Sequence, residues 1–333
     1  PTGESPLKTC QSFVNTSCPK CSSPARREAD TLDTFVCSSF YYLRYPDPKN
    51  PTKLAENQIL DKMLPVDHYV GGPEHACMHL LYARFINMVL NDLGYVKNSE
   101  PFTRLTHQGM ILGPDGQKMS KSKGNTISPD SYVENFGSDV LRLYLCFGFN
   151  YLEGGPWSEG GFKAAARFAD RIFRLFEENE EIFSSTAESR EPTYEDKKLL
   201  YQYHYTIKSS TRDTEKFQFN TSIARFMELY NVLGTYLKQG GEKSLNKSLL
   251  REIFENYLIM LSPFLPHLCE EWWERSGKSD SIFNQDWPVH DEVYLKQEEI
   301  NMAVMINGKV RAQVQVGADA PEESILKTTL AQT

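Results

Sequence analysis

His68-Tyr69-Val70-Gly71-Gly72-Pro73-Glu74-His75-Ala76-Cys77-Met78-His79 reads as a short buried strand, a glycine turn and the opening of a helix. Gly71-Gly72 lets a ligand lie against the backbone, and Pro73 suits the first helical turn, where its missing N–H costs nothing. The spacing predicts one helix from Pro73 through Leu93, with Gly94 as its C-terminal cap. Strand, glycine turn and helix in that order place a nucleotide at the carboxyl ends of the strands of an α/β sheet. On a continuous helix His75 and His79 would share one face. The zinc-protease pattern needs Glu directly after the first His, but Glu74 precedes His75 and Ala76 follows it. A polar pocket lining is therefore preferred to zinc hydrolysis, with satisfied core histidines as the plain alternative.

Upstream, Thr34 to Leu43 is an aromatic and β-branched block too apolar to be exposed, so it should line a core or pocket. Pro46 to Pro51 is a turn region, and a polar helix is expected from Thr52 to Met63. Cys18-Pro19-Lys20-Cys21 is half a zinc knuckle. Cys10 or Cys37 could add a ligand, but a second Cys pair is missing, so a remnant completed by sequence outside the chain is the preferred reading.

Downstream, Lys118-Met119-Ser120-Lys121-Ser122-Lys123-Gly124-Asn125 concentrates ammonium donors, hydroxyls and a glycine. Lys118, Lys121 and Lys123 supply charge, Ser120 and Ser122 supply hydroxyls, and Gly124 permits close backbone approach. Together they read as a polyanion clamp with ATP as its natural guest. A solvated basic loop is the plain alternative. Pro114-Asp115-Gly116 just before it signals a tight hairpin.

With 333 residues there is room for about two domains. The charge balance, 36 − 44 = −8, means that a nucleic acid would have to be met by local basic patches. Seven cysteines, odd in number and unevenly spaced, suggest reduced thiols rather than a disulfide framework. No signal peptide and no apolar run of membrane-spanning length is visible, so a cytoplasmic, soluble chain is expected.

Ser128-Pro129-Asp130 should open a short helix ended by Gly137, and Ser138-Asp139 another through Phe147. From Gly161 the apolar residues return every three or four positions, predicting a long amphipathic helix. Further helical segments follow at about 195–214, 219–239 and 247–276, with Gly240-Gly241 between the last two. These should form an antiparallel bundle. Pro263 to His267, with Trp272 and Trp273, reads as core packing rather than a base-stacking surface. Arg167, Arg171, Arg174, Lys197, Lys198 and Lys208 are candidate phosphate contacts, with solvated helix charges as the plain alternative. Asn307-Gly308 joins two strand-like segments, 301–306 and 309–316, and Pro321 begins a final helix.

The lysine loop resembles the second signature of class I aminoacyl-tRNA synthetases. The resemblance narrows to the bacterial leucyl type through Arg27 to Phe35, Ser38-Ser39-Phe40-Tyr41, Gly71 to Ala76 running into His79 to Phe85, and Gln108-Gly109-Met110. Isoleucyl and valyl relatives differ where Glu74-His75-Ala76 stands. It extends from the Arg27 region to beyond Gly317.

The resemblance implies the second half of a Rossmann-like α/β catalytic domain over 1–160. It further implies an all-α anticodon-binding-like helix bundle over 161–290 and the start of a truncated small α+β C-terminal domain over 291–333. It also implies roles. Lys118, Ser120, Lys121 and Lys123 would be catalytic, and Gly71, Glu74, His75, Gln108 and Met119 would contact ATP or the adenylate. Ser38, Tyr41 and His79 would form the leucine pocket, leaving Cys18 and Cys21 as candidate metal ligands. ATP and Mg²⁺ would serve the reaction, Zn²⁺ is not favoured, and the partners would be leucine and tRNA(Leu), with a monomeric parent.

The His-x-Gly-His signature that the family pairs with the lysine loop is not found in this sequence, and the editing insertion would end upstream of Pro1. The expectation is a fragment whose parent begins far upstream and which neither makes leucyl adenylate nor edits by itself. Two rival readings stand beside it: another class I synthetase or nucleotidyl-transfer enzyme, and a non-catalytic tRNA-binding or scaffold protein.

Overall fold

Parallel pairing organises the part of the chain that holds the glycine turn. In the computed structural model, which describes residues 3–184, 190–239, 245–296, 299–306, 309–317 and 320–332, the chain divides into two units, Pro1–Gln108 and Gly109–Thr333.

In the first unit a small hairpin, β1 (Asn15–Ser17) and β2 (Pro24–Arg26), precedes two short helices, α1 (Thr34–Ser38) and α2 (Tyr41–Arg44), and then α3 (Asn57–Met63). Strand β3 (Val66–Gly71) lies parallel to β4 (Phe102–His107), in a register running from Val66↔Phe102 to Gly71↔His107. Helix α4 (His79–Asp92) makes the crossover that parallel strands require. Tyr42, Leu43, Leu60, Ala83 and Val96 form the core beneath.

Three expectations are corrected here. The helix expected from Pro73 is broken. Pro73–Ala76 is a single 3₁₀ turn in which Cys77 N–H bonds Glu74 O and Met78 N–H bonds His75 O, and Met78 (φ −113°, ψ −111°) leaves helical space before α4 starts. Proline fixes the turn but the tighter winding cannot run on into the helix. His75 and His79 therefore do not share one helical face. Gly94, at φ +77°, does terminate α4. The helix expected from Thr52 begins only at Asn57, because Asn50 Oδ1 takes the N–H groups of Thr52 (3.1 Å) and Lys53 (3.0 Å) and holds that stretch in a turn. Strand β3 is buried only at Tyr69. Alternate side chains point to opposite faces, and Val70 on the other face is 41% exposed.

The second unit opens with another parallel pair, β5 (Met110–Leu112) and β6 (Gly154–Pro156). The approach at its edge needs glycine, since a Cβ on Gly109 would lie 1.9 Å from Gly154 N. Helices α5 (Asp130–Phe136) and α6 (Ser138–Phe147) fall where expected, with Gly137 at φ +84° between them. The bundle comprises α7 (Glu159–Glu177), α8 (Tyr194–Glu215), α9 (Phe219–Gln239), α10 (Lys247–Leu261) and α11 (Pro266–Arg275). Its core holds Phe162, Phe168, Phe176, Tyr203, Phe226, Phe254, Tyr257 and Trp272, side chains whose burial stabilises by about 1.5–3 kcal/mol each.

The helix expected over 247–276 is thus two. Pro266, lacking an N–H, restarts the chain as α11, while Phe264 and Leu265 tuck into the core. The corner is tied to α6. Asp139 accepts from Leu268 N (2.8 Å) and pairs with His267 Nδ1 (2.7 Å), and Arg142 Nε donates to Pro263 O (2.6 Å).

Asp196, fully buried at the start of α8, accepts from Thr193 N and Oγ1 (2.7 Å each), Arg190 Nη1 (2.7 Å) and the Tyr236 hydroxyl. At the end of the chain β7 (Glu299–Ile306) pairs antiparallel with β8 (Lys309–Gly317), followed by α12 (Glu322–Gln332). The turn at Asn307-Gly308 and the break at Gly240-Gly241 lie outside the described residues.

Candidate active site

The first unit gathers its expected residues around His79. This imidazole is buried at the N-terminus of α4, with Nε2 2.9 Å from the Ser38 carbonyl oxygen and Nδ1 2.9 Å from the Tyr69 hydroxyl. A carbonyl only accepts, so Nε2 carries the proton. Tyr69, whose phenol is pushed up by burial and then by Tyr41, keeps its proton and donates to Nδ1. The two bonds hold the ring in one orientation.

Aromatic rings close round it. Tyr69 stacks on His79 at 5.8 Å and 7°, Tyr41 lies 5.5 Å away, and Phe35 reaches both His79 (6.3 Å) and His75 (6.0 Å). Ser38 takes part through its carbonyl, since its hydroxyl points back to Phe35 O at 3.4 Å.

At the carboxyl ends of the strands, Gln108 N bonds Gly71 O at 3.0 Å, which sets Gln108 beside the glycine turn. The Glu74 carboxylate folds back over Gly72, where a Cβ would meet it at 2.5 Å. A side chain at Gly72 would displace that carboxylate. A cavity of about 530 Å³ opens on this unit, lined among others by Tyr41, Tyr45, Met63, Leu64, Tyr69 and Phe102.

Of the three residues expected to hold leucine, Tyr41 lines this cavity, while Ser38 and His79 stand behind it through Tyr69. Tyr69 and Phe35 were not singled out from sequence. The signal for Tyr69 was its place as the inward residue of a strand two positions before Gly71.

The lysine loop belongs to the second unit. Its foot is the hairpin expected from Pro114-Asp115-Gly116, with Gly113 N bonding Gln117 O (2.8 Å) and Leu112 bridging Lys118. Lys121–Lys123 form one 3₁₀ turn, ended by Gly124 at φ +66°. Lys118, Lys121 and Lys123 are exposed, and among the described residues none of their ammonium groups makes an ion pair. Ser120 and Ser122 share a hydroxyl hydrogen bond of 2.8 Å. Met119 faces inward and packs on the core of its unit.

The Cys18 and Cys21 pair sits at the tip of the β1–β2 hairpin. Hydrogen bonding from Ser23, side chain before backbone, and then from Cys18 lowers the Cys21 thiol. Cys10 turns to Ser12 at 3.2 Å, and all seven cysteines are free thiols. Among the described residues no group of three or more His, Cys, Asp or Glu is placed to hold a metal, so neither Cys10 nor Cys37 completes the half-knuckle. Several of the candidate phosphate-binding cations are engaged: Arg174 with Asp170 (3.1 Å), Lys198 with Glu195 (3.3 Å), Lys208 with Glu292 (2.6 Å), and Arg171 over the Tyr230 ring (5.3 Å). Among the described residues no helix is long and apolar enough to cross a membrane.

Known proteins match both units. A family model for tRNA synthetases class I (I, L, M and V) matches residues 10–154, and one for the anticodon-binding domain of tRNA ligase matches 196–326. The chain is 54% identical over 331 residues to a leucine–tRNA ligase of Clostridium botulinum, and 54% identical over 333 residues to one of Clostridium perfringens. Each match takes in 99% of the chain. Along nearly its whole length the chain is thus similar to leucine–tRNA ligases. It spans 40% of the length of these relatives.

A solved ternary complex of LeuRS, tRNA and LeuAMS from Agrobacterium radiobacter superposes with a TM-score of 0.79 at 38% identity. That match covers 98% of this chain and 41% of that one. A methionyl-tRNA synthetase of Mycobacterium tuberculosis shares the fold alone, with a TM-score of 0.54 at 14% identity over 81% of this chain and 58% of its own.

Proposed function

We propose that this chain supplies the leucine-facing pocket and the triphosphate-binding loop of a leucine–tRNA ligase, which activates leucine with ATP and transfers it to tRNA(Leu). The observation that carries the reading is the lysine loop, folded on its own hydrogen bonds with three exposed ammonium groups that make no ion pair among the described residues. In adenylation a leucine carboxylate oxygen bonds the α-phosphorus while the bond to the pyrophosphate oxygen breaks, and pyrophosphate leaves with its electron pair. Charge thus grows on the α-phosphate and the leaving group. Lys118, Lys121 and Lys123 meet it with preplaced positive charge, the arrangement in which electrostatic stabilisation is largest.

Ser120 and Ser122 add hydroxyl donors, and Gly71, Glu74, His75 and Gln108 would take the adenosine side. Mg²⁺, when bound, neutralises phosphate charge. The loop offers only cations and neutral donors, which suits an ion carried by the phosphates and waters rather than by a protein cage.

On the leucine side, His79 has both ring nitrogens engaged by Ser38 and Tyr69, and the Tyr41 and Tyr69 rings give an aliphatic side chain apolar walls. The transfer step needs positioning more than acid or base chemistry, and the bundle matched by the anticodon-binding family is proposed to hold the tRNA. Each of the parallel pairs β3–β4 and β5–β6 is read as a piece of Rossmann-like α/β structure, and β7, β8 and α12 as a small α+β piece.

The test is leucine-dependent ATP–pyrophosphate exchange by the full-length protein containing this chain, with and without Lys121→Ala. Removing one such donor should slow exchange by about 100-fold. Tight, salt-sensitive tRNA binding with no exchange in the unsubstituted protein would instead favour a non-catalytic tRNA-binding protein.

A further inference from the structure

Every polar atom of the Asn125 side chain is spent inside the lysine loop. Its Nδ2 group reaches Asp115 Oδ1 (3.2 Å), Asp115 Oδ2 (3.1 Å) and Lys118 O (3.3 Å), while its Oδ1 accepts from Ser120 N (2.9 Å). Asp115 is held in turn, since its Oδ1 also accepts from Gln117 N at 3.0 Å. One amide thus ties the hairpin foot, the entry to the loop and the loop itself together at Asn125. Around this knot Ser120 is extended (φ −148°, ψ 135°), and Lys121–Lys123 complete their turn at Gly124. Gly113 is confined by the same knot, because a Cβ there would lie 2.7 Å from Asp115 Oδ1 and 3.0 Å from Asn125 O.

We infer that Asn125 and Asp115 are positioning residues, a latch that fixes the backbone from Lys118 to Lys123 so that the three ammonium groups converge on one polyphosphate. Neither residue needs to touch ATP. An ammonium on a flexible four-carbon stem has no preferred direction of its own, so convergence of three of them has to come from the backbone that bears them. A loop set in advance spends no reorganisation when charge develops on the phosphates. The inference rests on the ligase reading of the loop, but its geometric half can be tested apart from that reading.

Two measurements decide it. In the 333-residue chain, trypsin cleavage after Lys121 and Lys123 should be about tenfold faster in Asn125→Ala, and Asp115→Ala with Asn125→Ala should add nothing further, as expected for one shared interaction. Tryptophan fluorescence, reporting the bundle, verifies that each variant is folded. In the full-length protein each single variant should lower kcat for ATP–pyrophosphate exchange about tenfold with the KM for leucine unchanged, and the double variant should again lose about tenfold. Asp115→Asn keeps the acceptor oxygen and should recover to within about threefold.

Unchanged cleavage in Asn125→Ala overturns the latch whatever the protein does. Singles that multiply to about 100-fold in the double variant overturn the claim that the two act as a unit. Absence of leucine-dependent exchange in the unsubstituted protein overturns the ligase reading and the catalytic half with it, leaving the proteolysis result to decide the latch.

Discussion

Replacing Tyr69 by Phe removes one oxygen from the first unit and nothing else. That oxygen is the donor to His79 Nδ1 at 2.9 Å, inside a ring stack where both residues are buried. The phenyl ring preserves the stacking and fills the same space, so no cavity contribution enters. The histidine keeps its Nε2 bond to Ser38 O, which prevents it from flipping to satisfy Nδ1 elsewhere without breaking that bond. The cost is therefore that of a buried acceptor left without a donor, about 1–3 kcal/mol. This corresponds to roughly a 5- to 150-fold rise in the open population of the surrounding structure.

Native-state amide exchange reads that population element by element. Amides of β3 and α4 should lose protection by that factor, while those of α10, in the other unit, should keep theirs. A loss below about 0.5 kcal/mol in β3 and α4, the range of an ordinary surface change, would show that the Tyr69 hydroxyl does not hold His79. An equal loss in α10 would show that the effect is not local.

Other outcomes follow from the bundle. Asp196→Ala strips Thr193 N, Arg190 and Tyr236 of a shared acceptor and should cost about 3–5 kcal/mol, read as a lower denaturant midpoint of tryptophan fluorescence. Burial works against ionisation of Asp196, but Tyr236, Thr193 and Arg190 together hold its carboxyl below the ordinary 3.8. Its stabilising contribution is thus complete above that value and is lost as pH falls through the lower folded one.

His204 acts in the same direction in a higher pH window, here because the neutral rather than the charged form is favoured. Burial lowers its pKa below 6.5, with Asp291 opposing and His290 adding to the effect. The unfolded chain therefore takes up a proton first and the bundle loses stability as pH drops below 6.5. His204→Asn should flatten that dependence. Asp139→Ala should cost about 1–2 kcal/mol, because it uncaps Leu268 N at the start of α11. Asp139→Asn, which retains an acceptor, should cost less.

The helices of the second unit were readable because their signals are local. Ser138 to Phe147, Phe219 to Gln239, and the Gly137 stop all follow from apolar spacing and caps within a few residues. The failures share a cause. Met78 and Pro266 end or restart helices through backbone conformations that apolar periodicity does not encode, and Asn50 halts a helix by a side-chain bond that competes with the backbone.

At the site, residue types were legible and partnerships were not. Nothing in the sequence says that Ser38 would contribute a carbonyl rather than a hydroxyl, or that Tyr69 would set the tautomer of His79. These depend on contacts across 41 and 10 residues. Asn125 was legible as part of the loop, but its role as the knot appears only once Asp115 is beside it.

The three loop lysines sit on a chain whose net charge is −8, so the rest of the chain carries −8 − 3 = −11. A triphosphate arriving from a distance meets a repulsive body before it meets an attractive loop. Salt screens the far charges first: the Debye length is about 30 Å at 0.01 M and about 8 Å at 0.15 M. Moderate ionic strength should therefore hide the acidic surface while leaving short-range contact with Lys118, Lys121 and Lys123 largely intact. Association with a small polyanion should then be fastest at intermediate salt, slowed below by the body and above by loss of the loop.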